Sequence, residues 1–131
     1  MAIGDRQKAM GKGFRELRVW QESKKLAIDI YHLTSREKLQ ADDALRDQIR
    51  RSAVSIPSNI AEGDERDTDK DAVRFFFIAK GSLAELRTQL EIAHDISHIK
   101  EQDYKALEEK CQQIGRMLGS LIKARSLKYS L

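Results

Sequence analysis

The chain has 131 residues, a net charge of +3 and 34% charged residues, which is typical of one soluble domain with a modest core. One Pro and 6% aromatic residues favour helices. No apolar run approaches the roughly 18 residues that span a bilayer, no secretory signal is recognisable, and the lone Cys111 cannot form an internal disulfide, so we expect a cytoplasmic protein without a membrane segment.

The apolar periodicity predicts four helices, over residues 17–35, 42–62, 69–99 and 101–128. Residues 1–13 have no periodicity, so we expect a disordered arm followed by one domain over residues 14–131. Asp42 or Asp43 is expected to cap the second helix, and Thr68 or Asp69 the third. Because the loops are short, neighbouring helices should run antiparallel, which predicts an all-α, up-down-up-down four-helix bundle.

Pro57 lies inside the second predicted helix. A proline in a helix interior removes an amide and clashes with a carbonyl, at a cost of about 3 kcal/mol. Apolar residues nevertheless keep helical spacing on both sides of it: Leu45, Ile49, Ala53, Ile56 and Ile60. The pattern predicts a helix kinked at Pro57, with serines and Asn59 serving the freed carbonyl and Gly63 ending the helix.

Apolar residues surround the third predicted helix. Residues 75–79 read FFFIA and occupy successive 100° steps of a helix. Farther along, one stripe is formed by Ile78, Ile92 and Ile99, and a separate one by Phe76, Leu83 and Leu90. A helix that is apolar on all sides must be buried on all sides, which a small monomer cannot arrange. We therefore expect self-association through part of this helix.

The fourth predicted helix has a two-position heptad seam. Its members are Tyr104, Leu107, Cys111, Ile114, Leu118 and Leu121. Cys111 lies on this seam and has no base beside it in sequence. We therefore interpret it as a small core residue rather than a nucleophile.

His94 and His98 are one helical turn apart, the spacing at which two imidazoles can share a metal. Asp95 follows the first His, where a zinc hydrolase has Glu. We interpret both as exposed histidines near a helix end, with metal binding as the alternative. There is no glycine-rich phosphate loop and no nucleophile elbow. We expect no catalytic site, metal or cofactor; a metal- or thiol-dependent enzyme is the minor alternative.

Six polar residues fall among apolar neighbours in the second and third helices: Arg50, Arg51, Asn59, Glu62, Ser82 and Glu85. Charged residues are rarely buried unless they are paired. We therefore predict an Arg–Glu network between these helices that fixes their register. A ligand site is the alternative.

Basic residues gather near both ends of the chain. Residues 1–18 have five Lys or Arg against two Asp or Glu, residues 99–131 have seven against four, and residues 64–71 have two against five. This predicts a polarised molecule whose basic helix ends converge. The candidate contacts to a nucleic-acid backbone are Arg15, Arg18, Arg116, Lys123, Arg125 and Lys128. The alternative is a solvated basic face, and with Tyr129 as the one nearby aromatic residue, base stacking is not predicted.

Two long motifs carry a resemblance to known proteins. The segments QIRRSAVSIPSNIAEG (48–63) and AKGSLAELRTQLEIAHDI (79–96) resemble the four-helix-bundle family encoded in intervening sequences of bacterial 23S rRNA genes. The chain is also similar to the accessory variability proteins of diversity-generating retroelements. The resemblance extends over residues 14–122, and it departs at Lys38-Leu39 and Ala44-Leu45, where relatives have Phe-Pro and Gly-Leu. It implies a homopentamer around a central pore and no known active site.

From these observations we expect a non-catalytic, homo-oligomeric accessory protein, pentameric by the resemblance, that binds structured RNA or DNA through a basic surface or pore. The alternative is a protein-interaction scaffold. It would recruit a nucleic-acid enzyme, such as the reverse transcriptase that the resemblance to the retroelement proteins implies.

Overall fold

The computed structural model describes residues 13–130, and all regular structure in this range is helical. A 3₁₀ helix (Gly13–Glu16) precedes α1 (Arg18–Thr34), α2 (Glu37–Ala41), α3 (Asp43–Asp64), α4 (Asp69–Asp95) and α5 (Glu101–Ser130). The predicted all-α class is confirmed. The predicted arm lies outside the described residues except for Gly13, which begins the 3₁₀ helix. No helix within residues 13–130 is long and apolar enough to cross a membrane.

The long helices α1, α3, α4 and α5 correspond to the four predicted helices, with two differences. Helix α2 was not predicted; it lies between the first and second predicted helices, and it buries Leu39 in the core. The prediction for the third helix runs to residue 99, whereas α4 ends at Asp95. Ser97 adopts a left-handed φ of 64°, which ends the helix. Ile99 is buried beyond this turn, so the apolar spacing continues past the helix end.

Polar side chains begin α3 and α4. Asp42 accepts a hydrogen bond from the backbone N–H of Leu45 at 3.2 Å, and Thr68 Oγ1 accepts one from that of Asp71 at 3.1 Å. Each bond satisfies an amide that has no partner inside its helix. Acidic residues also lie in both first turns, where they complement the positive end of the helix dipole. Of the two candidates predicted for each helix, Asp42 therefore caps α3 and Thr68 caps α4.

Each long helix packs against its neighbours in the chain, and α1 also packs against α5. The side chains that bridge α1 and α5 pair in reverse chain order: Asp29 bonds Lys110 at 2.7 Å, and Arg36, just past α1, bonds Asp103 at 2.8 Å. The large side chains that are fully buried come from every α-helix: Leu26, Ile30, Leu39, Ile49, Ile56, Ile60, Phe76, Leu86, Leu90, Ile114 and Leu118. The seam predicted in the last helix thus faces this core.

Pro57 lies inside α3, which continues to Asp64. Next to it, Asn59 Nδ2 donates to the backbone carbonyl of Ser55 at 2.8 Å and to its hydroxyl at 2.9 Å. The carbonyl that Pro57 leaves without an amide is that of Ala53, four residues earlier, so these contacts do not bear out the expectation that Asn59 serves the freed carbonyl. The kink itself stays a prediction.

Gly63 does not end α3, contrary to the prediction, because Asp64 is still helical. Its role is the close approach of α3 to α4. A Cβ at this position would lie 2.7 Å from Phe76 Cε1 and 2.9 Å from the carbonyl oxygen of Ala72. Atoms this close overlap, so only glycine fits without a shift of the helices.

Candidate nucleic-acid interface

The second half of α5 is basic and free of acidic residues. From Lys110 to the end, the chain has five Lys or Arg and no Asp or Glu. Lys110 is paired with Asp29. Arg116, Lys123 and Lys128 are exposed, and within residues 13–130 none of the three makes an ion pair or a side-chain hydrogen bond. Arg116 and Lys123 are two helical turns apart, so they share one face of α5.

Arg125 differs from the other predicted phosphate contacts. Its Nε donates to Asp69 Oδ1 at 2.5 Å, and its Nη1 lies 3.5 Å from Asp64 Oδ1. The side chain is only 17% exposed and lies over the ring of Phe76. Burial raises the pKa of Asp64, and Arg125 opposes that rise. Arg125 therefore links α5 to the start of α4, and we remove it from the candidate interface.

An acidic loop lies at the end of the molecule where the basic chain ends were predicted to converge. The 3₁₀ helix packs near the end of α3, where Gly13 lies close to Glu65, and Arg125 brings the end of α5 to Asp64 and Asp69. The acidic loop, residues 64–71, therefore lies at the same end of the molecule as the basic chain ends. The loop therefore offsets part of the positive charge at this end. The unpaired cations that remain on α5 are Arg116, Lys123 and Lys128.

The two cations at the start of the domain are exposed. Arg15 lies over the ring of Phe14, with 4.6 Å from its guanidinium carbon to the ring centroid, and Phe14 packs against Trp20. Arg18 occupies the first turn of α1. Both side chains remain available to a ligand, although the acidic loop is nearby.

The predicted Arg–Glu network between the second and third helices does not form. Arg50 Nε donates instead to Thr34 Oγ1 of α1 at 2.8 Å, and its guanidinium lies over Tyr31. Arg51 and Glu85 are exposed, and Glu62 pairs with Arg66 at 2.9 Å. In the part of the chain that the structure describes, no ion pair joins these arginines to Glu62 or Glu85. Arg51, Glu62 and Glu85 are exposed, whereas Arg50 is part-buried against α1.

The polar contact that does join α3 and α4 is a pair of hydroxyls. Ser55 Oγ and Ser82 Oγ are 2.8 Å apart, and Ser82 is buried. Small residues at this seam let the helices approach closely. This contact joins the two helices, and the structural role predicted for Ser82 stays a prediction.

Aliphatic side chains remain exposed on α3 and α4: Val54 on α3, and an apolar face of α4 that consists of Ile78 and Ile92. Ile78 and Ile92 lie close to one side of α4 because fourteen residues make nearly four turns. Phe75, Phe76 and Ala79 are buried, as expected, and Phe77 is exposed like Ile78. Ile99 does not belong to this face, because it is buried outside the helix.

His94 and His98 do not share a ligand position. His94 Nε2 contacts Glu101 and its Nδ1 lies 3.2 Å from Asp95, so these carboxylates raise the pKa of His94. His98, outside α4, has its Nε2 3.1 Å from Asp42 Oδ2. The described residues include no cluster of three or more His, Cys, Asp or Glu that could hold a metal. The two rings help to line a cleft of about 870 Å³ between the α4–α5 turn and α2.

Cys111 is fully buried on the core side of α5, as predicted. Burial raises the pKa of its thiol to about 12. The group is therefore protonated at neutral pH, which is the opposite of what a nucleophilic cysteine requires.

Sequence reasoning missed the cations on the outer side of α4, namely Lys70, Arg74 and Lys80. Arg74 bonds Asp71 at 3.0 Å, and Lys80 lies over the ring of Phe77. The sequence signal was the position of these three basic residues on either side of the apolar run at residues 75–79. Lys70 was overlooked because the net charge of residues 64–71, to which it belongs, is negative.

Comparison with known proteins assigns the fold to a family. A crystal structure of a protein of unknown function from the S23 ribosomal protein family of Bacteroides thetaiotaomicron superposes with a TM-score of 0.75 and 25% identity, over 80% of this chain and 95% of that chain. No curated protein matches. The model of the family described as 23S rRNA-intervening sequence protein matches residues 15–120, which include α1 to α4 and most of α5. The chain therefore belongs to the 23S rRNA-intervening sequence protein family.

Proposed function

We propose that the protein is a non-catalytic accessory protein that binds structured RNA or DNA as a homo-oligomer in the cytoplasm. The observation that carries the proposal is the acid-free second half of α5, where Arg116, Lys123 and Lys128 are exposed and unpaired. Cations of this kind neutralise phosphates and release counterions, which favours binding without reading the sequence. No metal or cofactor has a role in this function.

The building block that we propose is an up-down-up-down four-helix bundle made of α1, α3, α4 and α5, kinked at Pro57. The reverse order of the pairs between α1 and α5 supports the antiparallel arrangement. The exposed aliphatic side chains support assembly, because Val54 of α3 and Ile78 and Ile92 of α4 are each more than two-fifths exposed in the single chain. A pentamer is the state that the family resemblance implies. It would repeat the three free cations of α5 about fivefold, which strengthens attraction to a phosphate backbone.

The test of nucleic-acid binding is a fluorescence-anisotropy titration against an RNA hairpin and a DNA duplex, at about 50 to 200 mM salt. We expect affinity to fall steeply with salt, and the slope to decrease by about two in Arg116→Glu/Lys123→Glu for each subunit that touches the nucleic acid. Lys100→Glu/Lys105→Glu is the matched control, because it makes the same charge change at the exposed start of α5. Equal loss in both variants would mean that net charge, not this face, controls binding.

Assembly is tested separately by light scattering at micromolar concentration. Ile78→Asp/Ile92→Asp should reduce the mass to that of one chain, because a carboxylate in an apolar interface is costly to desolvate. Ile28→Asp is the control, because Ile28 is as exposed as Ile92, at 48% each, but lies on α1. A wild-type chain that is monomeric in this measurement would contradict the proposed assembly.

The second candidate function is a protein-interaction scaffold that recruits a nucleic-acid enzyme such as a reverse transcriptase. The apolar face of α4 favours it, because Ile78 and Ile92 lie on one side of the helix with the exposed Glu85 between them, and protein interfaces combine apolar with polar contacts. A pull-down that keeps a protein partner after nuclease treatment, and loses it in Ile78→Asp, would favour this candidate over nucleic-acid binding.

A further inference from the structure

Two exposed aromatic side chains line the same cleft, which lies between the start of α4 and the end of α5. Phe77 is 52% exposed and Tyr129 is 44% exposed, and both line a cleft of about 420 Å³ together with Val73. Two exposed rings at one cleft form a larger apolar patch than a single exposed side chain does, and such patches mark binding sites. Tyr129 belongs to the same half of α5 as the free cations of the proposed interface.

Cations surround this aromatic pair. Lys70 and Arg74 line the cleft, and Lys80 Nζ lies 5.9 Å from the centroid of the Phe77 ring. Asp71 offsets one of these charges through its pair with Arg74. Lys70 and Arg74 leave the lining with one positive charge in excess of Asp71, although Lys70 and Asp71 belong to the acidic loop of residues 64–71. A purely apolar occupant, such as a second copy of the apolar face, would have to desolvate these lysines without a partner.

A nucleotide matches this combination. Its base has a flat face that stacks on an aromatic ring whatever the sequence, and its phosphate is an anion that Lys and Arg bind. Paired bases have their faces covered by neighbouring pairs, so only unpaired bases can enter such a cleft. RNA loops and single strands supply bases of this kind.

We propose that the cleft between Phe77 and Tyr129 binds unpaired nucleotides of RNA or DNA, with Lys70, Arg74 and Lys80 held close to the phosphates. The inference rests on the proposed function and adds to it. The outer face of α5 holds a phosphate backbone of any shape, and the aromatic cleft gives preference to nucleic acids that expose bases.

The experiment compares two labelled probes with the full-length protein at about 100 mM salt: a single-stranded oligoadenylate of about twelve nucleotides and a duplex of similar length. We expect Phe77→Ala and Tyr129→Ala each to weaken single-strand binding by about fivefold or more, while duplex binding changes by less than about twofold. Phe77→Leu should behave like Phe77→Ala because it keeps apolar bulk and loses the ring face, whereas Phe77→Trp should retain binding.

Tyr31→Ala is the matched control. Tyr31 is also 44% exposed and also lies near a guanidinium, that of Arg50, but it is located on α1. Its removal should leave both affinities unchanged. Circular dichroism of every variant verifies that the helices are intact, so a loss of binding cannot come from unfolding.

Three results would overturn the inference. The first is unchanged single-strand affinity in Phe77→Ala/Tyr129→Ala with duplex binding intact, which leaves the proposed function standing. The second is full rescue by Phe77→Leu. The third is a change of oligomer mass in Phe77→Ala, which would assign the ring to contacts between copies of the chain. A wild-type protein that binds neither probe at low salt would remove both the inference and the proposed function.

Discussion

Replacing Gly63 with alanine would change the stability of the fold through two effects of opposite sign. Replacing glycine with alanine inside an exposed helix gains about 1 kcal/mol from helix propensity, and somewhat less near a helix end. At Gly63 the added Cβ would lie 2.7 Å from Phe76 Cε1, 2.9 Å from the Ala72 carbonyl oxygen and 3.0 Å from Phe75 Cβ. Ordinary contact needs at least about 3.4 Å, so α3 and α4 would have to separate by roughly half an ångström.

The expected loss of stability in Gly63→Ala follows from these distances. Two of the three crowded atoms cannot rotate away, because one belongs to the backbone and the other is itself a Cβ. Overpacking of this kind costs about 1–3 kcal/mol, so after the propensity gain we expect Gly63→Ala to lower the free energy of unfolding by about 1–2 kcal/mol. For a domain of this size the melting temperature should fall by roughly 3–8 °C.

The assay is urea and thermal unfolding followed by circular dichroism at a fixed protein concentration, because assembly makes stability concentration-dependent. Gly119→Ala is the matched control: Gly119 is helical and exposed, and a Cβ there meets nothing within 4 Å. That variant should be more stable than wild type by about 0.5–1 kcal/mol. If Gly63→Ala were as stabilising as Gly119→Ala, the close approach of α3 to α4 would be refuted.

The remaining predictions concern three buried or paired groups. Arg125→Met should lower the free energy of unfolding by about 1–3 kcal/mol, since it leaves the half-buried Asp64 without its cation, and it should leave duplex binding at 25 °C unchanged. The pKa of His94 is raised, chiefly by Glu101, so its stabilising contribution is complete below the unfolded value of 6.5 and is lost as pH rises through the higher folded value. His94→Gln should therefore lose more stability relative to wild type in acid than above that window, where a loss remains because the stacking of the ring on Tyr104 is lost at every pH; melting curves over pH measure the difference. Cys111 should react with a thiol reagent only after unfolding, and rapid modification of the folded protein would contradict its burial.

Much of the fold was predictable because it depends on neighbours in the chain. Helical spacing located the four long helices, and the seam that contains Cys111 and Leu118 is buried as predicted. For each cap the sequence left two adjacent candidates, and the structure selects Asp42 and Thr68. The choice was this narrow because a capping side chain bonds an amide only three residues further along. Helix α2 was missed since a helix of five residues has little periodicity of its own.

The candidate site was predictable only in part. The free cations Arg116, Lys123 and Lys128 came from the charge distribution along one helix. Arg125 belongs to the same run of residues, yet it is bound to carboxylates 56 and 61 positions away. The acidic loop that supplies these carboxylates looked separate from the basic ends because distance along the chain does not measure distance in the fold.

By itself, the sequence determined where helices form, which side of α5 is buried and which family motifs the chain has, because these depend on spacing and on residues a few positions apart. Only the tertiary structure decided that Gly63 is needed for the contact with Phe76, that Arg50 bonds Thr34 rather than a glutamate, and that Phe77 and Tyr129 share a cleft. The physical reason is the same in each case. These contacts depend on the rotation and register of one helix against another, and a one-residue shift along a helix turns a side chain by about 100°.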